Sequence, residues 1–517
     1  MEDVLSAVIA TRDASPKARR EQLAPYADRA GIGRMFTYAL AGRETRAMLR
    51  AILDVSSSPG VAEIAAHYLE IHREQLPALL FAEDAKVRKS TAQLLGKIAP
   101  IAWADLLLEA LRREPADMVR PSVILALGNC KGNAAVREAL EHYVIPPCEE
   151  KHQREHRLAL DKALSSLAGP RTRKEPLACA VPPGMQAALF CPNANVTLGQ
   201  LRQQGTQARL YHQLDHTILA EGLSDLAPLY ALRSFFAAGV LCGSFPSLEE
   251  AASYCQSRAF AKLVPAVFGE DALAYRVEAS GQEISHQARK AAAEAIALGL
   301  SQVSPLRNSP SSYDFSILLL RGRRAVSVAL TPSPAYDTRF RYRKDAISAS
   351  IHPAVAASVM AFSAGHFQKS AAVLDCFCGS GTMLFERAFY PYASLTGTDV
   401  SADALAAARR NERRRRSGAR FLIKNAVSPF REQFDEVICN MPFGLRVGNH
   451  DANLYLYRDF AQNLRRLLQR DGTAFLFTNE KQLLARMLQD SFEIVAKASF
   501  SAGGLYPSLF IARHREG

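Results

Sequence analysis

Asn440-Met441-Pro442-Phe443-Gly444 follows an apolar run, Asp435-Glu-Val-Ile-Cys439, with the composition of a buried strand. A carboxamide oxygen at such a strand end can accept N–H groups from a planar amino group, which is otherwise a poor nucleophile because its lone pair is conjugated. Pro442 fixes the local backbone, and Phe443 offers an aromatic face on which a base can stack. A second constellation lies upstream. Ala372-Val-Leu-Asp375 is a short strand ending in an acid, Cys376-Phe-Cys378-Gly379-Ser-Gly381-Thr382 is a glycine-containing loop, and Met383–Phe389 opens a helix. The next strand, Ser394–Asp399, ends in another acid, 18 residues after Gly381. Glycines let the backbone approach a ligand at a strand's carboxyl end. An acid at the end of the following strand can accept from ribose hydroxyls.

A dinucleotide site requires a third glycine for close helix packing, and that position holds Leu384. The string D-x-x-C-G-S-G-T instead resembles the first motif of class I methyltransferases. That resemblance implies a Rossmann-like α/β domain with S-adenosylmethionine as cofactor. Asp375, Cys378, Gly379, Gly381 and Thr382 would line the amino-acid end and Asp399 would take the ribose. Val400 would flank the adenine. Asn425-Ala426, after the strand Phe421–Lys424, stands where many members carry Asp-Ala against the adenine amine. Asn440 to Phe443 resembles the (D/N)-x-P-(F/Y) motif of methyltransferases that act on planar amino groups, with Met441 at its variable second position. The resemblance makes Asn440, Pro442 and Phe443 catalytic and implies no metal. Arg446, just beyond, would border the target base and meet a phosphate. His352-Pro353 matches a short motif that precedes the methyltransferase domain in this family and would border the cofactor; it reads equally as a helix start.

These elements need a scaffold, and 517 residues with 48% hydrophobic and 22% charged content allow several cores. The first 170 residues read as helical. Val87-Arg88 and Leu95-Gly96 recur as Val119-Arg120 and Leu127-Gly128, offset by 32, with Asp84 and Asp117 ahead of each pair and a weaker copy at His156-Arg157 with Leu164. A fixed period of this length means stacked helical hairpins. The pattern resembles HEAT repeats and implies an α-solenoid over 1–170, with a docking surface for a protein partner. Gly169–Pro183 reads as a linker. Beyond it, Gln186–Phe190 and Ala208–His212 read as strands, and Pro228–Val240 and Leu248–Ser257 as helices. Ala274–Glu278, Ser285–Leu300, Asp314–Leu320 and Ala325–Leu330 then read as strand, helix and hairpin, closing on Phe340-Arg341-Tyr342-Arg343. This order resembles the THUMP domain with a ferredoxin-like companion. It implies an α+β RNA-binding region over 181–345, with Arg343 and Lys344 as RNA contacts.

Lys and Arg number 63 against 51 Asp and Glu, a net charge of +12, which fits a polyanionic partner. Nine cysteines without a CxxC pair give neither a zinc site nor a disulfide framework. Met1-Glu2-Asp3 lacks a signal-peptide pattern, and the apolar stretch near Leu229–Cys242 is too short to span a bilayer, so a cytoplasmic protein off the membrane is expected. The THUMP-like region followed by a methyltransferase domain over 349–517 resembles the tRNA guanine-N2 methyltransferases from Val181 onward. The expected substrate is structured RNA, first of all tRNA. The same four-residue motif serves adenine-N6, rRNA guanine-N2 and protein glutamine-amide methylation, and a non-enzymatic RNA-binding scaffold is the remaining alternative.

Overall fold

The 32-residue spacing has a packing cause. In the computed structural model, which describes residues 4–167, 177–281, 284–347, 350–442 and 450–515, the helices Ala85–Ile98, Arg120–Leu127 and Glu150–Leu167 lie side by side. A Cβ at Gly96 would sit 2.4 Å from the Ala126 Cβ, and one at Gly128 would sit 2.5 Å from the Ala163 Cα. Only glycine allows the helix axes to come this close. The row continues back through Thr45–Val55 and Pro16–Leu23, and a second layer that includes Arg29–Leu40, Pro59–Ile71 and Ala104–Arg113 packs on it. Asp84 caps its helix by accepting from the Lys86 N–H. The buried Arg88 forms a two-bond pair with Glu114 at 2.9 and 2.7 Å and donates to the carbonyls of Ala82 and Glu83. In the following units Arg120 pairs with Asp117, whose carbonyl accepts from His156. The pattern therefore combines local caps and pairs, at Asp84 and Arg120–Asp117, with clamps between successive units, at Arg88–Glu114 and His156–Asp117. Gly128→Ala is expected to destabilise this region by about 1–3 kcal/mol through overpacking, read as a lower urea midpoint.

Strands β1 (Gln186–Phe190), β2 (Ala208–Leu210), β3 (Thr217–Ala220), β4 (Ala237–Phe245), β5 (Ala274–Ser280), β6 (Arg307–Asn308), β7 (Phe315–Arg321) and β8 (Val326–Pro332) form one sheet in the order β2-β3-β1-β4-β8-β7-β5-β6. The strands and the hairpin expected after Ala274 are present. β5 and β7 run parallel, joined through the helix His286–Val303, and the buried Asp314 holds them together by accepting from the Ala274 N–H. The helix expected over Pro228–Val240 does not form. A short 3₁₀ turn, Ala227–Ala231, leads into β4, which pairs with β1 on one side and β8 on the other. A central strand is covered on both faces and shows an unbroken apolar run, which a helix segment shows equally well. The helix Glu150–Leu167 docks this sheet onto the helical region. There Ser165 bonds Ser309, and burial raises the Asp161 carboxyl to about 6.

The C-terminal sheet contains β9 (Ala372–Asp375), β10 (Ser394–Asp399), β11 (Arg420–Ile423), β12 (Phe434–Asn440), β13 (Leu468–Thr478), β14 (Phe492–Ser499) and β15 (Ser508–His514), in the order β11-β10-β9-β12-β13-β15-β14. β9 to β13 are mutually parallel, and β15 runs antiparallel to both neighbours. The chain goes outward from β9 through β10 to β11, then returns to lay β12 on the other side of β9. The boundary between β9 and β12 is thus a switch point, where parallel sheets open a crevice at their carboxyl edge.

Candidate active site at the carboxyl edge of the parallel sheet

Leu374 and Val437 are partners across β9 and β12, so Asp375 and Asn440 leave the sheet at the same edge, on adjacent strands. Asp375 is buried, and its carboxyl accepts from the Phe377 N–H at 3.0 Å. Burial, reinforced by nearby Asp399 and opposed by the Phe377 bond, holds it well above the usual carboxylate range. Gly379 and Gly381 both have positive φ, 53° and 87°. The Asp399 carboxylate binds the loop from beneath, accepting from Gly379 N–H and Ser401 N–H, both at 2.9 Å. Each of its oxygens keeps a lone pair for a further donor.

Residues 342–347 and 350–352 cover this loop. The Ile347 Cδ1 lies 3.4 Å from where a Gly379 Cβ would be, and Ser350 Oγ bonds Ser380 Oγ at 2.9 Å. Asp345 fastens the first of these segments to the helix Ala402–Arg415 through Arg410 and Arg414, which hold its carboxyl below the usual range, while Asn411 bridges Asp345 O to Ser380 O. Other arginines clustered over 409–416 also serve internal contacts: Arg409 donates to Phe421 O, and Arg415 to Phe385 O and Ala388 O. His352 caps the helix Pro353–Ser363, accepting from Ala354 N–H at 3.2 Å, so the helix-start reading holds. Its edge is exposed, yet the protein packed around the ring, together with Arg343 and Arg339, lowers its pKa to about 4. Burial lowers the Arg343 pKa as well, and its Nε has no partner among the described residues. Lys344 is exposed.

Val400 and Ile423 lie at the ends of the paired strands β10 and β11, 67% and 64% exposed, and form an apolar ledge beside Asp399. Asn425 is exposed, with its Oδ1 accepting from Val427 N–H, and Ala426 is buried. The Asn440 side chain is half-buried and makes no hydrogen bond among the described residues. Met441 is fully buried, and its N–H continues the ladder to Phe477 O, so the second motif position is a packing position. Pro442 O accepts from the Tyr457 hydroxyl at 2.9 Å, and that hydroxyl also bonds Thr478 Oγ1. Phe443 and Arg446 lie outside the described residues. The helix His450–Leu467 follows.

Residues that sequence reasoning missed hold these parts in place. Tyr457 anchors the turn after Asn440, and Asn463 holds the loop after β11 by donating to Ala426 O and Ser428 O. Arg233 reaches from the central region to the buried Glu386 with bonds of 2.8 and 2.7 Å, and Tyr342 donates to the same carboxylate. Ile423 was legible only as the apolar end of a strand.

The glycine loop fits an adenosyl amino-acid cofactor. Thr382 Oγ1 and Thr398 Oγ1 are buried without partners beside it, the two positive-φ glycines leave backbone open, and Asp399 has free lone pairs. Among the described residues no group of His, Cys, Asp and Glu side chains could hold a metal ion, and no helix is long and apolar enough to cross a membrane.

The sheet order with one reversed strand, the glycine loop after its first strand and the acid after its second define a methyltransferase-type α/β fold. Comparison with known proteins agrees. Residues 341–505 match the family UPF0020, an RMKL-like methyltransferase domain. A tRNA (guanine(6)-N2)-methyltransferase from Thermus thermophilus is 31% identical over 200 residues, which cover 37% of this chain and 58% of that protein. The crystal structure of TrmN from Thermus thermophilus superposes with a TM-score of 0.50 at 20% identity, covering 64% of this chain and all of that one.

Proposed function

We propose that this chain transfers a methyl group from S-adenosylmethionine to the exocyclic N2 of a guanine in tRNA. The observation that carries the reading is the Asn440 carboxamide on β12, without a hydrogen-bond partner among the described residues and next to the strand that ends in Asp375 and its glycine loop. The relative from Thermus thermophilus, which acts on guanine N2, supports the choice of base. The chemistry supplied by bound S-adenosylmethionine is an electrophilic methyl group.

Asp375, Cys378, Gly379, Gly381 and Thr382 would hold its amino-acid end, with His352 at the border. Asp399 would take the ribose, and Val400, Asn425 and Ala426 the adenine. Asn440 accepts a hydrogen bond from the guanine amine, which aims the nitrogen lone pair. Phe443 stacks on the flipped base. The nitrogen would take the methyl as the sulfur–methyl bond breaks and S-adenosylhomocysteine leaves, and one amine proton would pass to water. Positioning of this kind can contribute several kcal/mol to the barrier. Arg343, Lys344 and Arg446 contact RNA, and the exposure of Lys344 supports the second of these. The central sheet over 181–345 is THUMP-like, as its strand–helix–strand–hairpin order suggests. The helical rows are HEAT-like and dock a protein partner, and the protein works in the cytoplasm.

Asp399→Ala is expected to weaken S-adenosylhomocysteine binding by roughly 10- to 100-fold, the worth of a charge-assisted hydrogen bond; calorimetry showing less than a threefold change (roughly 0.6 kcal/mol) would refute the ribose assignment. The reaction itself is tested with labelled S-adenosylmethionine and tRNA, followed by nucleoside analysis. N2-methylguanosine is the expected product, and a product that is only N6-methyladenosine overturns the guanine assignment.

A further inference from the structure

Between the central sheet and the C-terminal domain lies a cleft of about 310 Å³, lined among others by Asn195, His212, Asp215, His216, Arg323 and Ser499. We infer that this cleft binds a single unpaired nucleotide of the substrate RNA, near the one that is methylated. The inference rests on the RNA methyltransferase reading and adds a second contact point for that RNA.

Position is the first argument. Ser499 ends β14 and pairs with Ser508, which pairs with Thr478, and Phe477 next to it pairs with Asn440. The cleft therefore opens on the same edge of the sheet as Asn440, three strands away, about 15 Å at the usual strand spacing. An RNA strand that places its target base at Asn440 passes within reach.

The chemistry of the lining selects the ligand. Arg323 and Asp215 pair at 2.9 Å and cancel each other's charge, so the cleft favours the neutral base and ribose over a phosphate. Among the described residues the Asn195 amide and the His212 and His216 rings have no hydrogen-bond partner, leaving donors and acceptors for base edges and a 2′-hydroxyl. The His216 ring stacks on Tyr506, from the β14–β15 loop, with centroids 5.7 Å apart and an interplanar angle of 29°. Tyr506 is 45% exposed, and this aromatic pair from two domains offers a face for a base. His216 has φ at +56°, in the left-handed region that asparagine, aspartate and histidine enter more readily than other side chains bearing a Cβ. Two bonds fix the domain junction beside it: Asn193 donates to Ser499 O at 3.0 Å, and Ser501 N–H to Pro192 O at 2.8 Å.

The test is steady-state methylation of total tRNA from cells lacking this protein, comparing the full-length chain with His216→Asn, Tyr506→Ala and Tyr506→Phe. Asparagine tolerates the left-handed backbone and removes the ring. His216→Asn and Tyr506→Ala are expected to raise KM for tRNA about tenfold through lost stacking, with kcat and S-adenosylhomocysteine affinity unchanged. Tyr506→Phe keeps the ring and the wild-type KM. If the wild type methylates tRNA and both ring-deleting variants keep its KM, or lose kcat and thermal stability together instead, the cleft assignment is overturned while the reaction stands. If the wild type modifies no RNA, the underlying reading fails and this inference with it.

Discussion

Asn440→Ala is expected to lower kcat for RNA methylation by about 10²- to 10³-fold, the usual loss when one preorganised hydrogen-bonding group is removed from a reacting centre. The effect should fall on kcat rather than on cofactor affinity. Asn440 lies on β12, whereas the glycine loop and Asp399 follow β9 and β10. The side chain is half-buried and unpaired among the described residues, and the backbone around it is held independently by Met441 N–H on Phe477 O and by Tyr457 on Pro442 O. Truncation therefore leaves the strand end in place and removes only the acceptor for the amine. Stopped-flow or single-turnover transfer, with S-adenosylhomocysteine titration alongside, separates the two quantities. A variant that retains transfer within a few-fold of wild type (roughly 1 kcal/mol or less) would remove Asn440 from the reacting centre.

Glu436→Leu is expected to destabilise the C-terminal domain by about 3–5 kcal/mol, the usual cost of leaving a buried charge without its partner. Arg387 and Glu436 are both fully buried and joined by bonds of 2.8 and 3.0 Å. Arg387 also donates to the carbonyls of Tyr390 and Pro391 and lies 4.1 Å from the centre of the Phe367 ring, and Glu436 accepts from Gln368 N–H as well. This pair ties the helix that follows the glycine loop, Thr382–Arg387, to the strand that ends in Asn440. The unfolding transition of that domain should fall by about 10 °C or more. The double variant Arg387→Met with Glu436→Leu removes both charges and should recover much of the loss. Equal stability of single and double variants would show that the pair does not act as a unit.

The βαβ unit around Asp375 and Asp399 was legible because its signals are local: an apolar strand ending in an acid, glycines where φ turns positive, and a helix directly after. The helical region was legible for a similar reason, since Gly96 and Gly128 mark repeated close approaches. The start of the central strand β4 was not legible, because the consecutive burial of Ala238, Gly239 and Val240 erases the alternation that separates strand from helix. Tyr457, Asn463 and the Arg233–Glu386 pair left no local pattern at all. Each meets its partner 15 to 153 positions away, and such partnerships arise only from the packed fold. The arginine run after Asp399 shows the same limit from the other side. Clustered like charges carry no sign of their partners, yet Arg410 and Arg414 are committed to Asp345, 65 and 69 residues upstream.

The most direct test of the central claim is mass spectrometry of nucleosides from digested tRNA, taken from cells with and without this protein. Loss of one N2-methylguanosine from tRNA, restored by the wild-type chain and not by Asn440→Ala, is the predicted result. Unchanged N2-methylguanosine, whether or not another methylated nucleoside disappears, would contradict it.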